Sequence, residues 1–476
     1  MTQSAIYDEL KATLEPHGQA HILQFWSELN SGQKEKLASQ INSFDWNAIE
    51  SWIDRYVVEK PEHSLPDDLE PAEYYPVHPH TEEEKMLYRQ ATSRAGELLR
   101  AGKVAGFTVA GGQGTRLGYD GPKGTFPIGP ITGKSLFQIF AEIILRAQEK
   151  YGCIIPWYIM TSPSNDEPTR EFFTQNDFFD LEPANVFFLK QGTLPAVGYD
   201  GKILLAAKDS LALSPDGHGG SLRALKKSGA LSDMRRRGIE YISYWQVDNP
   251  LVQPFDRRFL GLHALNSADV SCRSLTKTGP YEKLGNFCVT DDKVLIVEYS
   301  DMPDELARAQ DAAGRLRFRA GSPAIHIFSR EFVESLTSSE NSGLPLHRAD
   351  KKVPYIDSDG GQIKPEEPNA VKLEMFIFDA LPLADRVVIL EAEREEQFAP
   401  VKNATGVDSA ESCRKMMQER YARWLESAGI SVPRDDDGDL DCRLEMSPRV
   451  FMEPEDVRDK AEELSAPKHG GEEYYD

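Results

Sequence analysis

Val104-Ala105-Gly106-Phe107-Thr108-Val109-Ala110-Gly111-Gly112-Gln113-Gly114-Thr115-Arg116-Leu117-Gly118, followed closely by Pro122-Lys123-Gly124, decides how this chain is read. Val104 to Ala110 has the apolar character and length of a buried β-strand. It opens into four glycines within eight residues, so the backbone after the strand can approach a ligand closely. Arg116 and Lys123 set two positive charges beside that loop. Backbone N–H donors next to two cations suit a nucleoside triphosphate. A glycine-rich loop without such cations would be only a turn.

Spacing removes the common alternatives. Gly112-Gln113-Gly114 starts a dinucleotide fingerprint, but its last glycine falls on Leu117. Gly133-Lys134-Ser135 resembles the end of a P-loop, but the glycine required five positions before Gly133 is Ile128. The chain contains no His-Glu-x-x-His and no Gly-x-Ser-x-Gly.

Working outward, apolar runs at Val104–Ala110, Ile155–Thr161, Val186–Leu189 and Ile239–Val247 alternate with helical patterns such as Ser135–Lys150 and Ser221–Arg237. This alternation predicts an α/β fold, a Rossmann-like mixed sheet, mostly parallel, with helices on both faces. Ligands in such sheets sit at the C-terminal strand ends, where Gly111–Gly114, Gln191 and Asp248 fall. Leu284–Thr290 and Val294–Tyr299 flank Asp291-Asp292 and predict a hairpin. Asp359-Gly360-Gly361 marks a further turn, and Arg386–Ala392 a last strand before a helix at Ala410–Ala428.

The N-terminal part reads as helices, with Ile6, Leu10 and Leu14 on one face and Asp45 capping a helix that carries Trp46, Ile49, Trp52, Ile53 and Tyr56. Those aromatics read as packing residues. Pro61 to Pro79 is proline-rich and acidic, an extended connector, and Thr81-Glu82-Glu83-Glu84 is a capping box opening a helix to about Ala101. Asp435 to Asp439 resembles a calcium loop, but Leu440 and Met446 stand where glycine and glutamate are required, so it reads as a solvated acidic loop. Gly470 to Asp476 reads as a loose tail. The expected division is a helical region over 1–97, a core over 98–395 and a C-terminal region over 396–476.

A net charge of −23 argues against nucleic acid as a partner. It also makes Arg116, Lys123 and Lys402 more important, because anionic ligands need local positive charge. The five cysteines are scattered without a Cys-x-x-Cys pair, giving neither a zinc pattern nor a disulfide framework. No apolar run approaches the ~20 residues of a membrane span. Met1-Thr2-Gln3-Ser4 lacks a secretory pattern, and a cytoplasmic protein is expected.

Gly-Gly-x-Gly-Thr-Arg-Leu followed by Pro-Lys resembles the signature of sugar nucleotidyltransferases. Gln191-Gly192-Thr193-Leu194-Pro195-Ala196, Pro215-Asp216-Gly217-His218-Gly219-Gly220, Val247-Asp248-Asn249, Val297-Glu298-Tyr299-Ser300 and Pro400-Val401-Lys402-Asn403 follow in order. Together, from about Leu98 to Asn403, they resemble the eukaryotic-type UDP-N-acetylhexosamine pyrophosphorylases of the UDP-sugar pyrophosphorylase family. The resemblance implies a GT-A-like nucleotidyltransferase core and a uridylyltransferase that makes a UDP-sugar and pyrophosphate from UTP and a sugar 1-phosphate, with Mg²⁺ as cofactor. N-acetylglucosamine or N-acetylgalactosamine 1-phosphate is the expected sugar.

The resemblance also implies roles. Ala110, Gly111, Gly112, Gly114, Thr115, Gln191, Gly217 and His218 bind the UTP or UDP part, with Gln191 and Gly217 around the uracil. Arg116 faces the departing phosphates, Lys123 the α-phosphate, and Lys402 meets the phosphates from a C-terminal region that closes over the site. Asp248 holds the metal. Gly285, Glu298, Tyr299, Ser322, Phe376 and Phe378 stand at sugar positions. Glu298 and Tyr299 read equally well as strand-edge residues. Phe376 and Phe378, two apart in a predicted helix, cannot share a face, so core packing is the competing reading for one of them. His218 replaces an asparagine of the family motif, and Ser322 stands where the family has a second sugar-contacting asparagine. Both changes fall in the sugar pocket. Three alternatives stay open: a UDP-glucose or broad UDP-sugar pyrophosphorylase, a non-catalytic regulator that binds UTP or a UDP-sugar, and a glycosyltransferase, whose Asp-x-Asp motif is absent at Val247-Asp248-Asn249-Pro250.

Overall fold

In the computed structural model, which describes residues 3–60, 65–66, 68–338 and 344–476, the apolar run at Val104 is a central strand. The sheet around it is built from β1 (Val104–Val109), β2 (Trp157–Thr161), β3 (Val186–Lys190), β4 (Tyr241–Gln246), β5 (Val270–Thr276), β6 (Gly285–Thr290), β7 (Lys293–Val297), β8 (Ala320–Ser322), β9 (His326–Ser329) and β10 (Val387–Ala392), with Glu70–Pro71 at an edge. β4, β1, β2 and β3 are neighbours and parallel. β10 runs parallel to β5. The strands from β9 through β5 and β8 to β6 and β7 pair antiparallel. The sheet is therefore mixed, with its parallel half around the glycine-rich turn.

Side chains alternate across this sheet. Trp157 and Trp245 point to one face, where Phe137 and Phe140 of the helix Leu136–Tyr151 pack 6.2 and 5.3 Å from them. Ser135 caps that helix, its side chain accepting the Gln138 N–H. Tyr158 points to the other face and donates to Asp233 of the helix Ala230–Arg236 at 2.6 Å. Helices Glu82–Arg100 and Arg257–Leu265 cross so closely that a Cβ on Gly261 would lie 1.8 Å from the Ala91 carbonyl oxygen. Thr81 and Glu84 exchange the two capping-box bonds.

The run 221–237, expected as one helix, is two: Gly220–Lys227 and Ala230–Arg236. Gly229, at φ 81°, interrupts a hydrophobic period that continues on both sides. The expected hairpin is present, with Asp291 and Asp292 at φ 46° and 60° as the turn. Part of the expected 61–79 connector, residues 61–64 and 67, lies outside the described residues, as do Met1 and Thr2. The rest is extended: Glu70–Pro71 pairs with β6, and Tyr75 bonds β10 through its backbone.

The expected C-terminal tail is instead a strand. Gly471–Tyr475 pairs in parallel with Cys442–Met446, and Tyr475 is 5% exposed. Tyr474 accepts a hydrogen bond from Lys134 Nζ at 2.8 Å. Glu445 accepts from the Ile131 and Thr132 backbone N–H groups, which fastens the loop before helix Leu136–Tyr151. A Gly-Glu-Glu-Tyr-Tyr-Asp end looks polar by composition, yet its two tyrosines supply the burial and the hydrogen bonds. Asp435–Asp439 is exposed, and Asp435 accepts the backbone N–H of Asp437 and Asp439.

The chain divides into two compact units. One holds Met1–Pro66, Gln191–Arg223 and Leu336–Asp379; the other holds Asp67–Lys190, Ala224–Ser335 and Ala380–Asp476, including the large sheet. In the first, helices Gln3–Leu14, Ser31–Asn42 and Trp46–Trp52 accompany a sheet of Leu346–Lys351, Ala370–Met375 and Val197–Gly198. Gln40 accepts the Leu211 N–H at 2.9 Å, and Arg348 donates to the Tyr56 carbonyl at 2.8 Å. The N-terminal helices thus pack with later chain. Trp46 and Tyr56 are each 6% exposed and belong to this packing. Among the described residues, no helix is long and apolar enough to cross a membrane.

Tyr475→Ala should cost about 3 kcal/mol of stability, read as a lower denaturation midpoint. An unchanged midpoint would mean that the terminal strand contributes nothing.

Candidate active site

The parallel pairing of β1 with β4 ends with Val109 opposite Gln246, so the chain leaves both strands at one edge. Beyond β1 lies the turn Ala110–Gly114; beyond β4 lies Asp248. Gly114 N–H bonds the Gly121 carbonyl and Lys123 N–H the Gly112 carbonyl, which folds Pro122-Lys123 back along the turn. Lys123 Nζ then stands 3.4 Å from Asp248 Oδ2, with side-chain exposures of 17% and 11%. The carboxylate balances the ammonium in a partly desolvated place, where an unpaired charge would be costly. Arg116 is exposed and has no ion pair among the described residues.

Lys402 arrives from far along the chain by a defined route. Val401 N–H bonds the Asp248 carbonyl at 2.8 Å. Asn249 accepts the Ala399 N–H at 3.0 Å and donates to the Gln397 carbonyl at 2.8 Å. These three bonds strap Gln397–Val401 to the end of β4. Lys402 Nζ lies 5.6 Å from the centre of the Phe398 ring, and its N–H bonds the Asp408 carbonyl. Asn249 is the residue sequence reasoning passed over, although it adjoins Asp248 in the quoted motif. Among the described residues, no group of three or more His, Cys, Asp or Glu side chains could hold a metal. Asp248 is a single carboxylate at a strand end, which suits Mg²⁺ only if phosphate oxygens and water complete its shell.

In the same unit, three expected sugar residues form a row. β6 and β8 pair Gly285 with Ser322, and β6 and β7 pair Asn286 with Val297, so Glu298 follows at the open end. A Cβ on Gly285 would lie 3.3 Å from Glu298 Oε1. The same Cβ would lie 2.5 Å from Ile296 Cγ2, so only glycine lets β7 pack this closely against β6 here. Tyr299 is 42% exposed just beyond.

The other unit holds Gln191, Gly217, His218, Phe376 and Phe378. Gln191 donates to the Gly217 carbonyl at 2.8 Å. Gly217, at φ 84°, runs so close to the strand Ala370–Met375 that a Cβ would meet the Met375 carbonyl oxygen at 2.3 Å. His218 Nδ1 accepts the Ile377 N–H at 3.1 Å. Its ring stacks on Phe376, 5.5 Å away and 22° from parallel, and packs 5.9 Å from Phe378. The expectation that the two phenylalanines cannot share a face is overturned, since both rings pack against His218 and lie 5.1 Å apart. Phe376 lies outside any helix, between the strand and the short 3₁₀ turn Ile377–Ala380, so helical spacing does not apply. Beyond Phe376 stacks His347, at 4.4 Å, with its Nε2 hydrogen-bonded to Asp379.

Desolvation by this packing, and then the charge of His347, push the His218 pKa down to about 4. The ring is neutral at physiological pH. Because Nδ1 accepts, Nε2 carries the proton, and His218 offers a ligand a donor.

The chain is also similar to known proteins in sequence and in fold. Residues 50–423 match the family model for UTP–glucose-1-phosphate uridylyltransferase. A human protein, UDP-N-acetylhexosamine pyrophosphorylase-like protein 1, is 37% identical over 436 residues, 88% of this chain and 86% of that one. UDP-N-acetylglucosamine diphosphorylase 2 of Arabidopsis thaliana is 35% identical, covering 89% and 86%. Among crystal structures, the uridine diphosphate N-acetylglucosamine pyrophosphorylase of Trypanosoma brucei, solved with an inhibitor, superposes with a TM-score of 0.82 at 25% identity, covering 97% and 95%.

In NMR titration the His218 ring should protonate with a midpoint near 4 instead of 6.5. The unfolded chain then binds one more proton between these values, so His218 lowers stability as pH falls from about 6.5 toward 4 and contributes nothing above. A midpoint near 6.5 would contradict the packing described.

Proposed function

We propose, from the premise that this chain belongs to the UTP–glucose-1-phosphate uridylyltransferase family, that it couples UTP to an N-acetylhexosamine 1-phosphate and releases pyrophosphate. The chain is a uridylyltransferase. The observation that carries the detailed reading is the Lys123–Asp248 pair at the end of two adjacent parallel strands, beside a glycine-rich turn and the strap to Lys402.

An oxygen of the sugar 1-phosphate attacks the α-phosphorus of UTP. The bond to the β-phosphate oxygen breaks, and pyrophosphate leaves. The attacking phosphate is already ionised at neutral pH, so no general base is required. Bringing two polyanions into line and neutralising their charge is the main task. Ala110, Gly111, Gly112, Gly114 and Thr115 take the nucleotide along the turn. Lys123 sits at the α-phosphate, where charge builds up. Arg116, exposed and free of an ion pair among the described residues, takes the β- and γ-phosphates. Lys402 adds a third cation. Asp248 would hold Mg²⁺, which when bound supplies further charge neutralisation to the phosphates.

Gln191 and Gly217 are assigned to the uridine part, Gly285, Glu298, Tyr299 and Ser322 to the sugar, and Phe376 and Phe378 to the wall that carries His218. A second reading, a UDP-glucose or broad UDP-sugar pyrophosphorylase, is favoured by one observation. His218 is a one-way donor where an asparagine both donates and accepts, so it can serve a hydroxyl oxygen as well as an acetyl oxygen. A cytoplasmic location, and no nucleic-acid or membrane partner, complete the proposal.

Pyrophosphate release with UTP and Mg²⁺ should be fastest with the N-acetylhexosamine 1-phosphates. Preference for glucose 1-phosphate would establish the second reading, and UTP binding without turnover would establish a regulator. Lys123→Ala should lower kcat by about 10²- to 10³-fold, as loss of a charge-stabilising donor does; a wild-type kcat would remove Lys123 from the chemistry. His218→Asn should shift kcat/KM toward the N-acetyl sugars by about tenfold, the worth of one hydrogen bond. An unchanged ratio would show that His218 does not read the sugar.

A further inference from the structure

The carbonyls of the turn after β1 are held by a side chain from elsewhere. Asn165 Nδ2 donates to the Ala110 carbonyl at 2.9 Å and to the Gly112 carbonyl at 3.1 Å. The Gly112 carbonyl also accepts the Lys123 backbone N–H at 3.0 Å. Asn165 Oδ1 accepts the Ser162 N–H at 2.7 Å and its hydroxyl at 3.0 Å. Two carbonyls at one end and a backbone N–H at the other fix the orientation of the amide. Asn165 is 0% exposed, and all its hydrogen-bonding capacity is spent on joining the chain after β2 to the chain after β1.

A trans peptide is planar, with its N–H opposite its C=O. Pinning the Ala110 and Gly112 carbonyls on Asn165 therefore turns the Gly111 and Gln113 N–H groups to the other side of the turn. Neither amide has a hydrogen-bond partner among the described residues. The oxygens that would repel a phosphate are drawn inward, and the donors that would bind one are left outward. Lys123 is tied to the same Gly112 carbonyl, so its place depends on the same peptide.

We propose that Asn165 is a positioning residue for nucleotide binding, which aims the Gly111 and Gln113 amides at the triphosphate oxygens and keeps Lys123 beside them. This rests on reading the turn as the phosphate site of UTP. Asn165→Asp keeps the shape and loses both donors; Asn165→Ala loses the side chain. Each should raise the KM for UTP by about tenfold or more while the KM for the sugar 1-phosphate stays within about twofold. A wild-type KM for UTP in the folded variants overturns the proposal, and so does an equal rise in both KM values, which would mean general damage. Should both variants fail to fold, amide hydrogen exchange in the wild-type protein decides. Saturating UTP should slow exchange at Gly111 and Gln113, and unchanged exchange at both overturns the proposal. A wild-type protein that does not bind UTP would instead refute the phosphate-site reading.

Discussion

Val109 and Gln246 are the last partners of two parallel strands, and both chains leave the sheet at one edge. An antiparallel pairing would have sent Ala110 and Asp248 to opposite ends. Everything chemical in this part of the molecule follows from that edge. The glycine-rich turn, the carboxylate of Asp248 and the strap that carries Lys402 each need only a few residues to reach it. The rest of the sheet serves this arrangement by burial: Trp157 and Trp245 against one helix, and Tyr158 against another, hold the strands in register.

The central strands were legible because their signal is local. A buried strand is a short apolar run, and β1 to β4 fall within two residues of the runs that predict them. Asp45 and Thr81 cap helices as their spacing requires, because a cap depends on residues three apart. Features that depend on distant chain were not legible. The pairing of Gly471–Tyr475 with Cys442–Met446 joins an end that composition marks as polar. The N-terminal helices pack with Gln191–Arg223 and Leu336–Asp379, and no periodicity announces such a discontinuous unit. The same holds within the site. The glycines, Lys123 and Asp248 stand in readable motifs, but Asn165 has no motif around it, and only its hydrogen bonds reveal what it holds. Phe376 and Phe378 were misread because helical geometry was assumed for a segment that leaves a strand directly into a 3₁₀ turn.

Charge explains the economy of the site. The chain carries −23 overall, yet its substrates are polyanions, so the few cations near the turn must act at short range. Lys123 is kept in place by Asp248, and Arg116 is left without an ion pair among the described residues. The proposed reading of the sugar by a neutral His218 rests on different physics, a single hydrogen bond. One such bond separates related sugars by only about tenfold.

The central claim is direct transfer: the sugar phosphate itself attacks UTP, and no enzyme group forms a covalent intermediate. Exchange of labelled pyrophosphate into UTP tests it most directly. The account predicts exchange only when sugar 1-phosphate or UDP-sugar is present. Exchange with UTP and the enzyme alone would require a uridylylated enzyme and would contradict it.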